Sequence, residues 1–84
     1  GEDLLNNEFL PVIYGAQPNS YLLQVFDRWG GLIFESNDTG YGWNGNHQQT
    51  GKRCPLGVYV WRITVRDEYS PTLYDYVGNV TLIR

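Results

Sequence analysis

His47, Cys54 and the serines Ser20, Ser36 and Ser70 are the groups with which this chain would have to do nucleophilic chemistry. A nucleophile needs a base within hydrogen-bond reach and a third group to orient that base. A Cys54–His47 dyad is conceivable by spacing, but no site signature surrounds it, and a domain this small leaves little room for a pocket. One Cys and one His also fall short of the four ligands of a structural zinc site. Glu2, Asp3, Asn6, Asn7 and Glu8 gather the oxygen atoms that a hard cation prefers. They lack the regular spacing and turn glycine of a dedicated loop, so the cluster reads as a solvated turn. Trp29, Trp43 and Trp61 offer faces on which a sugar could stack. Trp61 falls on the apolar side of a strand and reads as core; Trp43 reads as a plug at the edge of the fold. Trp29 sits at a turn tip, where an indole facing water asks for a contact. The chain reads as no enzyme, with no cofactor and no metal.

The elements that hold these residues are strands. Ten Gly and four Pro punctuate short runs rich in β-branched and aromatic residues, the signature of an all-β chain. The runs are Phe9–Tyr14, Tyr21–Asp27, Gly31–Ser36, Gly57–Asp67 and Leu73–Arg84, with one or two short strands between Asn37 and Pro55. In the last hairpin the apolar positions are odd in one strand (Tyr59, Trp61, Ile63, Val65) and even in the other (Tyr74, Tyr76, Val80, Leu82). For both sets to share a face, odd must pair with even. A loop of Glu68-Tyr69-Ser70-Pro71 does this, pairing Val65 with Tyr74, Ile63 with Tyr76, Trp61 with Gly78 and Tyr59 with Val80. Trp61 then covers the bare backbone of Gly78. Asp27-Arg28-Trp29-Gly30 predicts a type I turn closed by a left-handed residue. It sets Phe26 against Leu32 and Val25 against Ile33. Both faces of that hairpin are apolar: Leu23, Val25 and Ile33 on one, Phe26, Leu32 and Phe34 on the other. Either loops cover the second face or a partner does.

Length and charge narrow the classes further. Eighty-four residues make a single domain, residues 1–84, read as cut from a longer protein. Thirteen aromatic residues (three Trp, seven Tyr, three Phe) supply its core. The lone Cys54 rules out an internal disulfide and reads as a small buried residue. A net charge of −3 with scattered Lys and Arg excludes a phosphate-binding surface, hence nucleic acid. No apolar stretch approaches the roughly 20 residues of a membrane span. The fold class is therefore all-β, an Ig-like antiparallel β-sandwich of about six to seven strands.

Four segments carry a family resemblance. They are Gln24-Val25-Phe26-Asp27-Arg28-Trp29-Gly30-Gly31-Leu32-Ile33-Phe34-Glu35-Ser36; Gly42-Trp43-Asn44-Gly45; Cys54-Pro55-Leu56-Gly57-Val58-Tyr59-Val60-Trp61; and Gly78-Asn79-Val80-Thr81-Leu82-Ile83-Arg84. In order and spacing, across nearly the whole chain, they resemble the gliding-motility-associated C-terminal domain. The opening stretch departs from it: Leu4 stands where the family has glycine and Asn7 where it has aspartate. The resemblance implies a C-terminal type B sorting domain that directs cargo through the type IX secretion system of Bacteroidetes-type bacteria. It implies N-terminal cargo in the full-length protein, export across the outer membrane to the cell surface or medium, and a PorP/SprF-like outer-membrane partner. Recognition is expected at Arg28 and Trp29 on the hairpin tip and at Leu82, Ile83 and Arg84 of the closing strand, the latter at a sheet edge with backbone groups free to pair. The alternative is an Ig-like carbohydrate-binding or adhesion module.

Overall fold

The computed structural model describes residues 2–5 (as backbone), 8–11, 20–67 and 69–83. Among the described residues there are five strands: β1 (Glu2–Leu5), β2 (Leu22–Phe26), β3 (Leu32–Ser36), β4 (Gly57–Arg66) and β5 (Leu73–Leu82). They form a single sheet in the order β1-β5-β4-β2-β3. The all-β class is borne out, and β5, β4, β2 and β3 are antiparallel throughout. β1 departs from expectation twice. The acidic N-terminal stretch read as a turn is a strand at Glu2–Leu5, and it pairs parallel with β5, Glu2 opposite Asn79 through Leu5 opposite Leu82. The closing residues of β5 are therefore flanked on both sides and are not an edge. Of the strand expected at Phe9–Tyr14, Phe9 makes an isolated bridge to Trp43, while residues 12–14 lie outside the described ones.

The β4–β5 hairpin has the register that its odd and even apolar sets require: Val65 faces Tyr74, Ile63 faces Tyr76, Trp61 faces Gly78 and Tyr59 faces Val80. The core is shorter than that register implies. Ile63 and Val65 are buried, yet Tyr74 and Tyr76 across from them stay exposed and stack on one another with ring centroids 6.2 Å apart. The layer that covers β4 at Ile63 and Val65 does not reach over this part of β5.

The β2–β3 hairpin holds a correction. Phe26 pairs with Leu32 as expected, but Val25 pairs with Phe34, because Ile33 is an extra residue in β3. Such a bulge breaks the strict alternation of faces. It lets the consecutive Ile33 and Phe34 both turn into the core, leaving Leu32 on the open face. The Ile33 carbonyl, pulled from the ladder, accepts from the Gln48 backbone N–H at 2.9 Å.

The inner face of the sheet contributes Leu23, Val25, Phe34, Tyr59, Ile63, Val65, Val80 and Leu82 to the core. Among the described residues its cover is not a second sheet. Phe9, Tyr21, Trp43 and Cys54 close it from outside the strands, and the loop from residue 37 to 56 carries Trp43 and Cys54. The only pairing within that loop is the isolated bridge Asn46–Arg53. Trp43 is not a plug at the rim: it is fully buried in the core, edge-on to Tyr59 at 5.0 Å.

Each residue of Gly42-Trp43-Asn44-Gly45 has a physical reason. A Cβ on Gly42 would run into the Phe9 carbonyl and lie 2.9 Å from Leu10 Cβ, so only glycine lets the two segments meet. There Phe9 and Trp43 exchange backbone hydrogen bonds of 2.7 and 2.9 Å. The Trp43 indole N–H donates to the Asn46 carbonyl at 3.0 Å, which satisfies its polar atom in the core. Asn44 Oδ1 accepts from the Asn46 N–H at 3.0 Å, a side chain imitating a backbone turn. Gly45 sits at φ +88°, a conformation that side chains disfavour.

Candidate recognition surface

The groups considered for catalysis have structural engagements. Cys54 is buried, and its N–H donates to the Gly45 carbonyl at 3.0 Å. His47 Nδ1 accepts from the Gln49 N–H at 3.2 Å. Glu8, from the N-terminal oxygen cluster, accepts from the Gly42 N–H at 3.1 Å, so it ties down the loop beneath Trp43. Asn6 and Asn7 lie outside the described residues. No helix among the described residues is long and apolar enough to cross a membrane.

The hairpin tip is built as its sequence predicts. The Gly30 N–H donates to the Asp27 carbonyl at 3.0 Å and the Asp27 N–H to the Gly31 carbonyl at 2.9 Å. Asp27 Oδ1 accepts from the Trp29 N–H at 3.0 Å and the Gly31 N–H at 2.8 Å. Gly30 takes up φ +85°. This frame carries Trp29 outward: the indole is 79% exposed. The Arg28 guanidinium carbon stands 4.6 Å from its ring centroid, so the cation and the π-face are held as one unit. Gly30→Ala places a Cβ in the left-handed region and is expected to cost about 1–2 kcal/mol. A lowered urea midpoint would show this; an unchanged one would mean that the tip is not held in this conformation.

The closing strand divides its expected roles. Leu82 is only 3% exposed and belongs to the core; it pairs with Leu5 on one side and Gly57 on the other. It anchors the strand and offers no surface, contrary to its expected place in the patch. Ile83 is exposed, and Arg84 lies outside the described residues. The ladder brings Ile83 and the tip to the same end of the sheet. Phe26, the last residue before the tip, is two strands from Asn79 through Val60, about 10 Å at ordinary strand spacing.

On the opposite face, Arg62 grips Asp75 through two hydrogen bonds, 2.9 Å from Nε and 2.6 Å from Nη2. That contact holds the Asp75 carboxyl below, and the Arg62 guanidinium above, their ordinary values. Asp75 therefore keeps its charge to lower pH than a free aspartate does. The contribution to stability is present at neutral pH and is lost as pH falls through that lowered value. Being exposed and hydrated, the pair contributes little.

Sequence reasoning missed Gln48. Its Oε1 accepts from the Glu35 N–H at 3.0 Å and its Nε2 donates to the Glu35 carbonyl at 2.9 Å. The side chain thereby imitates a neighbouring strand along β3. No local pattern marks such a residue, because its partner is thirteen positions away across a loop.

An all-β domain with a structured aromatic tip, in which Cys54 is buried and His47 and Glu8 each hold a loop backbone N–H, is the class that fold and surface define. The family model described as CHU_C Type IX secretion signal domain matches residues 2–82. The chain belongs to that family, and its role is that of a sorting signal which engages the secretion machinery. No curated protein matches it. Among solved structures it is similar to CopC from Methylosinus trichosporium OB3b. That similarity has a TM-score of 0.59 at 16% identity and spans 96% of this chain and 82% of that one. At such identity the likeness is one of fold alone.

Proposed function

We propose that this domain is a non-catalytic, type B signal that carries N-terminal cargo through the type IX secretion system to the cell surface or medium. Recognition is assigned to the hairpin tip, with a PorP/SprF-like outer-membrane protein as the partner. The sheet and its loop cover are read as an Ig-like sandwich. Membership of the secretion-signal family along residues 2–82 is the observation that carries this reading. The tip supports it in physical terms. Trp buries a large area and Arg forms several directed hydrogen bonds, which is why both dominate protein interfaces. Here the two are stacked and exposed on a turn held by Asp27. Such preorganisation lowers the ordering cost of binding. Ile83 lies at the same end of the sheet and extends the patch; Leu82 supports it from below.

The test is a reporter fused ahead of residue 1 and expressed in a bacterium carrying a type IX system. Export should occur with the intact domain and fall by about tenfold or more with Arg28→Ala/Trp29→Ala, the size of effect that a lost hot spot produces. Undiminished export of the folded variant would remove the tip as the recognition site. An intact domain that exports nothing, yet binds glycans on an array, would replace sorting with the adhesive reading.

A further inference from the structure

The two borders of the sheet are treated differently. At β3 the edge is closed: a bulge at Ile33 disturbs the strand, and Gln48 occupies the backbone groups of Ile33 and Glu35 with three hydrogen bonds. These are the usual means of keeping a foreign strand away. At the other border β1 covers β5 only from Asn79 to Leu82. Among the described residues, nothing pairs with the outer side of Leu73–Gly78. Every second residue of that stretch turns its N–H and C=O away from β4.

Among the described residues, the usual safeguards of a bulge, a proline or a lysine are missing from this half-strand. Its pairing with β4 runs without a bulge from Leu73 to Gly78. It holds no Pro and no Lys. Its one charge, Asp75, is neutralised by Arg62. Leu73 and Val77, on one face, are 59% and 64% exposed; Tyr74 and Tyr76 stack on the other. A regular edge of no net charge, with apolar side chains on both faces, takes one kind of ligand well, an extended strand.

We infer that Leu73–Gly78 is a β-augmentation site, at which the export machinery adds an uncharged, extended strand rich in β-branched or aromatic residues. The inference rests on the sorting reading and names a second contact for it. By register this site lies at the end of the sheet away from Trp29, so the signal is held at two separate places.

Lysine on an edge blocks strand addition, whereas threonine keeps the edge open and its β-propensity high. In the reporter assay, Leu73→Lys/Val77→Lys is expected to lower export by about tenfold or more, while Leu73→Thr/Val77→Thr retains it. Both pairs change exposed side chains, and a thermal melt confirms folding. Should the double lysine variant lose its fold, Val77→Lys alone carries the same test. Full export of folded lysine variants, beside a functioning intact domain, overturns the edge and leaves sorting in place. Equal loss with threonine means that apolar side chains are read rather than backbone, which also overturns it. Sedimentation of the isolated chain should show a monomer. A dimer that the lysines abolish makes the edge an interface between copies and overturns the machinery strand. Failure of the intact domain to export the reporter defeats the sorting reading and this inference together.

Discussion

Trp43→Ala is expected to cost about 3–5 kcal/mol, the range for truncating a buried aromatic residue. A chain of this size holds only about 4–13 kcal/mol in total. The indole is fully buried and packs edge-on against Tyr59. The backbone on either side of it is clamped to Phe9. The loop that carries it is also the cover of the core, so the surroundings cannot collapse into the cavity without releasing that loop. The melting temperature should fall by about 15 °C or more, since each kcal/mol is worth roughly 4–8 °C in a domain this small. Near-UV circular dichroism follows the loss directly. Trp43→Phe keeps a ring beside Tyr59 but leaves the Asn46 carbonyl without its indole donor, and should cost about 1–2 kcal/mol. If Trp43→Ala melts within a few degrees of the parent, the loop is not the second layer of this fold.

The second large effect is at Gly78. An added Cβ would lie 2.6 Å from Trp61 Cε2 and 2.9 Å from its Nε1. The indole therefore rests on bare backbone, and its buried Nε1 has no hydrogen-bond partner there. Gly78→Val is expected to destabilise by about 2–3 kcal/mol, because the ring or the strand must move. Removing the ring removes the conflict. In a Trp61→Ala background the same valine should be neutral or stabilising, since a β-branched residue otherwise favours a strand. The two substitutions should thus couple by more than about 1 kcal/mol. Denaturant titrations of the parent, both single variants and the double variant measure this. Additive behaviour would separate Trp61 from Gly78 and break the register that pairs them.

That register was legible because it is a matter of parity. Apolar residues at odd positions of β4 and even positions of β5 can share a face only if the loop has an even count, and Glu68–Pro71 supplies it. The Asp27–Gly30 turn was legible for a similarly local reason: an aspartate that accepts from its own following N–H groups and a glycine free to take positive φ. Both depend on neighbours in the chain, and such constraints are written in residue type and spacing.

Other features depend on groups distant in sequence. The turn at Asp27–Gly30 placed Val25 opposite Ile33, but an extra residue in β3 moved Phe34 there, and what accommodates the displaced Ile33 carbonyl is Gln48 from another loop. The same distance hid β1. Glu2–Leu5 reads as a polar turn, and only the vacant flank of Asn79–Leu82 makes it a strand.

The candidate surface divides along the same line. Residue type alone made Arg28 and Trp29 candidates, since a turn tip is exposed wherever the hairpin lies. Leu82 is buried, and Leu73–Gly78 is unpaired on its outer side among the described residues, because of what packs beside them. Periodicity determines which residues share a face. Which faces and edges are then covered is a property of the assembled sheet, decided by segments that meet only when the chain has folded.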